Sequence, residues 1–260
     1  PIITARIVVV NTGGVVRGKD GKLQSLYNGL PLRGGERVSI KIAANSDNNQ
    51  RLDFSEPTKN FYVSGIENVM IDGERESLVL NLVSREAITN ETARVGKKFS
   101  TDTNISDTVK DILKNYIKTD KINQVETTMN NYGFIGNMKK PFQILTWLAS
   151  RSMSGESEED PKGSSAGFFF YQTKDGFNFR SIDSLVEQDP FEKDYRYAPS
   201  VINFDDPNKD FLILEYNINQ NIDLMNKLER GAYSSQRYYI NPLSFAPYIN
   251  HFKSSDYANN

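Results

Sequence analysis

The sequence predicts an α+β fold that is mainly β, because the spacing of apolar residues changes twice along the 260-residue chain. Apolar and polar side chains alternate from the start to about residue 93, as in strands with one solvated face. The spacing is that of amphipathic helices from about residue 100, and the strand pattern returns after residue 195. We therefore divide the chain into a first β domain at 1–93, an α/β insert at 94–194 and a partial second β domain at 195–260.

The first domain reads as a small antiparallel barrel or sandwich. It opens with the strand-like run "ARIVVV", and in "GGERVSIKIAA" the apolar Val38, Ile40 and Ile42 alternate with polar residues. "GIENVMIDGERESLVLNLVSRE" places Asp72-Gly73 between two strands, which predicts a hairpin with a type I′ turn or a near relative. Leu78, Leu80 and Leu82 then share one face of the second strand, and the sheet ends near "SREAITNE".

Two amphipathic helices follow in the insert. "NISDTVKDILKNYIK" aligns six apolar residues on one stripe, with Asn104 or Ser106 as the cap and Asp107 in the first turn. The stripe comprises Ile105, Val109, Ile112, Leu113, Tyr116 and Ile117. "KPFQILTWLASRSMSG" predicts a second helix that begins with Pro141 in its first turn and ends near Gly155.

An acidic, serine-rich segment and an aromatic hairpin complete the insert. Residues 155–166 carry no apolar side chain larger than alanine, which predicts a mobile surface loop. In "GFFFYQTKDGFNFRSID", a turn at Asp175-Gly176 places Phe168, Phe170, Phe177 and Phe179 on one face. That face is either a core or a platform for sugar rings or nucleobases. Large aromatic side chains are usually buried and the two helices need a partner, so we expect a core.

The last domain resumes with "PSVINF" and "FLILEYNI" as strands. Ile218, Ile222, Met225 and Leu228 then predict a helix that stops at Gly231. "RYYINPLSFAPY" reads as extended chain interrupted by Pro242 and Pro247.

Composition limits the chemistry. The chain has no cysteine and one histidine, His251, so neither a thiolate site nor a multi-histidine metal site can form within one copy. The net charge of −2 and the scattered basic residues are not typical of a dedicated nucleic-acid binder. No apolar run has the roughly 20 residues that span a bilayer. We expect no membrane insertion, no cofactor and no metal.

No motif predicts catalytic residues. Gly13, Gly14 and Gly18 lack the spacing and the following helix of a dinucleotide fingerprint. The acidic groups at Glu158-Glu159-Asp160 and Asp205-Asp206 are typical of a loop and a turn, and residues 45–50 lack the ligand spacing of a calcium loop. His251 has no neighbouring acid or nucleophile in the sequence. We predict no catalytic, cofactor-binding or metal-binding residue, and no enzymatic activity.

Three stretches together resemble the baseplate hub proteins of T4-type contractile-tailed phages. They are "LYNGLPLRGGERVSIKI" (26–42), "NISDTVKDILKNYI" (104–117) and the segment 136–185, with its proline-initiated helix, Trp147, polar loop and aromatic hairpin. The order of these features also matches the family, over most of residues 26–240. The resemblance implies two tube-like antiparallel β-barrel domains with an α/β domain interposed. Against that pattern, we expect this chain to lack the first strands of the first barrel and to stop before the second closes, as a fragment or a shortened relative.

The resemblance also implies a function. Hub proteins are homotrimers whose six barrels surround a channel, between the sixfold tail tube and the threefold spike. The implied partners are further copies of the chain, tail tube or tube-initiator proteins, the central spike protein and other baseplate proteins, with DNA only as passing cargo. The implied location is the baseplate of the virion, after synthesis in the host cytoplasm. Two alternatives stay open here: a carbohydrate- or nucleic-acid-binding module using hairpin 168–179, and a spike-associated muralytic hydrolase.

Overall fold

The computed structural model describes residues 1–11, 16–18, 21–24, 26–30, 32–43, 51–72, 75–154, 167–190, 194–198, 211–218 and 222–256. The fold is α+β and mainly β, as the sequence predicts. The chain divides into two compact units, Pro1–Glu158 with Ser164–Asp189, and Glu159–Gly163 with Pro190–Asn260. The first unit holds both the predicted first β domain and most of the predicted insert, and the three-domain division stays a prediction.

Strands dominate the β part of the first unit. They are β1 (Thr4–Asn11), β2 (Val16–Arg17), β3 (Leu23–Gln24), β4 (Arg37–Val38), β5 (Ile40–Ile42), β6 (Leu52–Phe54), β7 (Phe61–Asp72) and β8 (Arg75–Ser84). A four-stranded antiparallel sheet has the order β1-β8-β7-β4, and β5 and β6 form a separate hairpin. A short helix, α1 (Leu26–Gly29), lies between β3 and β4.

One face of the four-stranded sheet forms a hydrophobic core. Phe61, Val63 and Leu82 are buried at its centre, and Ile40 and Phe54 from the β5–β6 hairpin pack against them. The predicted leucine face of β8 is confirmed, since Leu78 and Leu82 are buried. Asp72 pairs with Arg75 and so belongs to a strand rather than to the predicted Asp72-Gly73 turn, while Gly73 and the type of the turn lie outside the described residues.

A helix stands where we expected the sheet simply to end. It is α2 (Arg85–Thr92), and its buried residues are Glu86 and Asn90 rather than apolar ones. A helix whose inward face is polar lacks the apolar period that identifies amphipathic helices in a sequence. The sheet ends at Ser84, as the sequence predicts, but the β interpretation of residues up to about 93 does not hold for Arg85–Thr92, which are helical.

The described residues of the α/β part form three α-helices and five strands. They are β9 (Lys98–Phe99), α3 (Ile105–Ile112), β10 (Ile122–Val125), β11 (Phe134–Ile135), α4 (Pro141–Ala149), β12 (Phe168–Thr173), β13 (Gly176–Ser181) and α5 (Ile182–Val186). α3 continues into a π-helical turn at Leu113–Ile117. The predicted apolar stripe is confirmed, since five of its six residues are fully buried and Tyr116 is partly buried.

α4 begins at Pro141 as predicted but ends at Ala149, six residues before Gly155. Beyond Ala149, the backbone makes hydrogen bonds other than those that would continue the helix. Arg151 N–H and the Ser152 hydroxyl donate to the Leu148 carbonyl, while Met153 N–H donates to Asn130 Oδ1. The predicted mobile loop at 155–166 lies outside the described residues.

The second unit contains fewer described elements. They are β14 (Arg196–Tyr197), β15 (Leu212–Ile213), α6 (Leu224–Glu229), β16 (Ser234–Ile240) and β17 (Pro247–Lys253). The predicted strand "PSVINF" lies outside the described residues. The predicted helix starts only at Leu224, because Asp223 caps it by accepting a hydrogen bond from Asn226 N–H. Ile218 and Ile222 therefore precede the helix, whereas Gly231 follows it with the expected positive φ of 70°.

Candidate functional site

The aromatic hairpin is a core element rather than a platform. β12 and β13 pair antiparallel with Phe170 opposite Phe179, and Thr173 opposite Gly176. The turn is thus Lys174-Asp175 instead of Asp175-Gly176, and this shift leaves the same four phenylalanines on one face. All four are buried, and Phe142 of α4 packs 5.6 Å from Phe170 and 5.7 Å from Phe177 between ring centroids.

The other predicted chemical groups form no site in the described part of the chain. Glu158-Glu159-Asp160, Asp205-Asp206 and residues 45–50 lie outside the described residues. Among the described residues, no group of three or more His, Asp or Glu could hold a metal ion. His251 is exposed on β17 beside Gln236, 3.3 Å between Nε2 atoms. Gly13 and Gly14 also lie outside the described residues, and Gly18 is followed by β3 before any helix.

The buried carboxylates Glu86 and Glu126 hold the fold through hydrogen bonds, and although Glu86 lines a cavity of about 300 Å³, no second carboxylate besides Asp120 lines it among the described residues. Glu126 accepts hydrogen bonds from the Ser154 hydroxyl at 2.9 Å and from Ser181 N–H at 2.7 Å. Glu86 Oε1 accepts from Lys121 Nζ at 3.0 Å and from the Thr119 hydroxyl at 3.3 Å. Lys121 Nζ also donates to the Thr58 carbonyl. The ion pair therefore joins α2 to two loops, the one that precedes β7 and the one that precedes β10. These contacts give each carboxylate a structural role.

Two further carboxylates fix the backbone of residues 26–42, the first stretch on which the family resemblance rests. Glu76 on β8 accepts from Leu26 N–H at 2.5 Å and Tyr27 N–H at 2.8 Å, and so fixes the start of α1. Glu36 accepts from Arg33 N–H at 2.6 Å and Gly34 N–H at 2.9 Å. The hydrogen bond from Arg33 is the largest of the effects that hold the pKa of Glu36 below its ordinary value of 4.5.

The glycines of the same motif supply the backbone geometry that the turn needs. Gly34 and Gly35 have φ values of 98° and 91°, a region that other residues rarely adopt. Gly35 N–H donates to the Val63 carbonyl at 2.7 Å, and Val63 N–H donates to the Glu36 carbonyl at 2.9 Å. The segment Leu-Arg-Gly-Gly-Glu is thus a clamp that holds the chain against β7.

The outer strand of the sheet is a candidate interaction surface. In the described part of the chain β1 pairs with β8 alone, so its other edge is open along eight residues. Val8 and Val10 are 62% and 65% exposed on the face opposite the core, and Met70 extends this apolar strip across Ser77. Sequence reasoning identified the strand but missed the surface. The uninterrupted run "IVVV" was the available signal, because it is apolar on both faces.

The second unit also exposes apolar side chains. Tyr238, Tyr239 and Ile240 on β16 and Tyr248 and Ile249 on β17 are all exposed, although they lie on both faces of the hairpin. The connecting segment adds Leu243 and Phe245. An isolated two-stranded hairpin is marginally stable in water. This hairpin therefore needs a packing partner, and the described residues of its unit do not provide one.

No helix in the described part of the chain is long and apolar enough to cross a membrane. No protein-family model and no curated protein matches the sequence. The chain is similar to the 43 kDa tail protein of prophage MuSo2 from Shewanella oneidensis, with 10% sequence identity and a TM-score of 0.47. The similarity covers 77% of this chain and 50% of that protein, so the chain spans about half the length of the structure it matches.

Proposed function

We propose that the chain is a structural virion protein, the baseplate hub of a contractile phage tail, without enzymatic activity of its own. Three copies form a ring that adapts the sixfold tail tube to the threefold spike and surrounds the DNA channel. Its partners are further copies of the chain, the tube or tube-initiator proteins, the spike and other baseplate proteins. DNA passes through the ring as cargo, and the protein resides in the baseplate of the virion.

The open edge of β1 carries the proposal. An edge strand with free N–H and C=O groups is a template for pairing with another chain, and soluble monomers usually block such edges with charge, proline or a covering loop. β1 has one exposed charge, Arg6, but the same face also carries Val8 and Val10, and the strand contains no proline. Main-chain pairing along this edge, supported by the valines, is the contact expected between neighbouring copies.

A ring accounts for such an edge better than a dimer. A heterologous contact joins two different surfaces, and it closes into a ring when the rotation between copies divides a full turn. An isologous dimer would pair β1 with itself and leave no channel. The weak net charge of −2 also suits a channel wall, because a strongly basic wall would retain DNA through phosphate contacts.

The two alternatives have less support. A sugar or nucleobase platform needs Phe168, Phe170, Phe177 and Phe179 at the surface, and all four are buried. A muralytic hydrolase needs two carboxyl groups held across a cleft. The buried carboxylates of Glu86 and Glu126 are each bound to internal donors instead.

Light scattering coupled to size exclusion tests the proposal. We expect the full-length protein to be a trimer, alone or with its spike partner. Val8→Lys with Val10→Lys should give a monomer, because inserted charge blocks edge pairing. Val186→Lys, at an exposed valine of α5, is the matched control and should leave the trimer intact. A wild-type protein that stays monomeric or dimeric in both conditions would overturn the hub assignment.

A further inference from the structure

A cavity of about 280 Å³ opens beside α4 in the α/β part of the first unit. Three aromatic rings and two isoleucines form its apolar walls, and all three rings remain partly accessible. These residues are Tyr132, Phe134, Ile135, Ile144 and Trp147. A partly open aromatic cluster with a concave surface is typical of a binding site rather than of a finished core.

Two of the aromatic rings in the cavity wall have one face covered by a neighbouring side chain. Phe99 stacks on Phe134 with 4.6 Å between centroids and an interplanar angle of 19°. The Arg151 guanidinium lies 4.2 Å from the centroid of the Trp147 ring and covers one of its faces. Ring edges carry positive partial charge, so they attract the π face of another aromatic ring or a carboxylate oxygen.

The floor of the cavity is fixed before any ligand arrives. Gly136 N–H donates to the Lys97 carbonyl at 3.0 Å, and Met138 N–H donates to the Val95 carbonyl at 2.9 Å. A side chain at Gly136 would place its Cβ only 2.3 Å from the Val95 carbonyl oxygen. Asn137 and Met138 have φ values of 47° and 56°, a strained conformation for two consecutive residues other than glycine. A preformed floor lowers the entropic cost of binding.

The rim of the cavity is cationic. Lys139 is exposed at one side, and Arg151 lies against Trp147 and donates from Nε to the Tyr132 hydroxyl at 3.3 Å. No ion pair in the described part of the chain involves Lys139 or Arg151, whereas Lys97 and Lys140 nearby are paired with Asp111 and Glu91. Among the described residues, Lys139 is thus an unpaired positive charge in the cavity lining, and Arg151 is a second one on the adjoining Trp147 and Tyr132 rings.

We infer that this cavity binds a segment of a partner protein that inserts one aromatic side chain and places an adjacent carboxylate against Lys139 and Arg151. Its volume of about 280 Å³ is just below the range of small-molecule pockets, about 300–1,000 Å³, and is adequate for a single ring. Ile135, exposed in the cavity wall, provides an apolar contact of the kind that usually surrounds such an anchor, and the exposed Met138 lies between the lining residues Asn137 and Lys139 in the sequence. The inference is independent of the ring proposed above.

A partner protein fits these features better than a nucleic acid does. Single-stranded nucleic acids bind to free aromatic faces along a positively charged groove. Here one face of Trp147 is occupied by Arg151, one face of Phe134 is occupied by Phe99, and Lys139 is the one cation among the described residues that line the cavity.

Peptide titration followed by tryptophan fluorescence tests the inference, because Trp147 is the only tryptophan in the chain. The probes are three peptides with identical Gly-Ser flanks and the centres Asp-Phe-Asp, Asn-Phe-Asn and Asp-Ala-Asp. We expect a saturable change for Asp-Phe-Asp at micromolar to low-millimolar concentration. Asn-Phe-Asn should bind about fivefold more weakly or worse, since it loses two exposed ion pairs, and Asp-Ala-Asp should not bind.

Variants locate the binding. Ile135→Glu places a carboxylate in the cavity wall and should abolish binding, with thermal unfolding as the check that the protein still folds. Lys139→Gln should weaken Asp-Phe-Asp binding about two- to fivefold, as is usual for one exposed ion pair. Lys114→Gln removes the same charge from an exposed site on the π-helical turn and should change nothing.

Three results would overturn the inference. They are the absence of any saturable change at low-millimolar peptide, equal binding of all three peptides, and tighter binding of an oligothymidylate than of Asp-Phe-Asp. The titration needs no oligomer. A chain that stays monomeric would therefore remove the ring and leave the cavity assignment in place.

Discussion

Replacing two adjacent phenylalanines separates the core and platform interpretations of the aromatic hairpin. Phe169 and Phe170 are neighbours on β12 and point to opposite faces. Phe170 is 8% exposed, whereas Phe169 is 52% exposed. Both Phe→Ala changes carry the same loss of strand propensity, so the difference between them reports burial.

Phe170→Ala should lower the free energy of unfolding by about 3–5 kcal/mol, the usual cost of emptying a buried phenylalanine site. We expect the upper half of that range because the ring stacks on Phe177, with 5.5 Å between centroids and an interplanar angle of 6°, and also contacts Phe142. Phe169→Ala should cost about 1 kcal/mol, since roughly half of a phenylalanine's burial energy is at stake.

Urea unfolding followed by the fluorescence of Trp147 measures both values, because this residue lies on α4 against the same core. At ~2–4 °C per kcal/mol for a unit of this size, Phe170→Ala should also lower Tm by about 6–20 °C. Phe170→Leu, at about 1–2 kcal/mol, replaces it if the alanine variant does not fold. Equal losses at the two positions, or a fully stable Phe170→Ala protein, would refute the core assignment.

Three further predictions concern the ion pair of Glu86, the turn held by Glu36 and the close approach of Gly136 to Val95. Lys121→Met should cost about 2–4 kcal/mol in urea unfolding, because it leaves the Glu86 carboxylate buried without its cation, and adding Glu86→Gln should restore part of the loss. Glu36→Gln should lower the free energy of unfolding at pH 7. The difference from the wild-type protein should disappear as the pH falls from 4.5 through the lowered pKa of Glu36, because a carboxyl group with a depressed pKa stabilises the fold only while it is ionised. Gly136→Ala should lower Tm and weaken peptide binding, because its Cβ would clash with the Val95 carbonyl.

Matched controls exist for these changes. Lys110→Met breaks the exposed pair with Asp107 and should change stability by less than about 1 kcal/mol. If Lys121→Met cost no more than Lys110→Met, the burial of the Lys121–Glu86 pair would contribute nothing to its effect on stability. Gly65→Ala should be tolerated, because its added Cβ would meet nothing closer than 3.8 Å. For Glu36→Gln, a difference in stability that is the same at pH 3 and pH 7 would contradict the proposed charge effect.

The sequence predicted elements whose buried face is apolar. Period-two alternation located the strands of the first domain, and the stripe of α3 was correct because each of its positions packs into one hydrophobic cluster. α2 was missed because its inward residues, Glu86 and Asn90, are polar and accept hydrogen bonds from distant segments through Glu86 Oε1 and Asn90 Oδ1. Asn90 Oδ1, for example, accepts from Phe142 N–H at 2.8 Å. Such a helix is specified by its tertiary partners, which a local period does not contain.

The same reasoning explains why the cavity beside α4 could not be predicted. Tyr132, Phe134 and Trp147 occupy positions that sequence patterns assign to a core, and their spacing does not indicate that the core stays open on one side. The opening depends on the chain reversal at residues 136–139, where Gly136 approaches the Val95 carbonyl and two residues adopt left-handed conformations. These features need contacts with a strand segment about 40 residues earlier. The strained reversal lies in the wall of a cavity with three partly exposed rings and the unpaired Lys139, so a ligand bound there would account for its conformational cost.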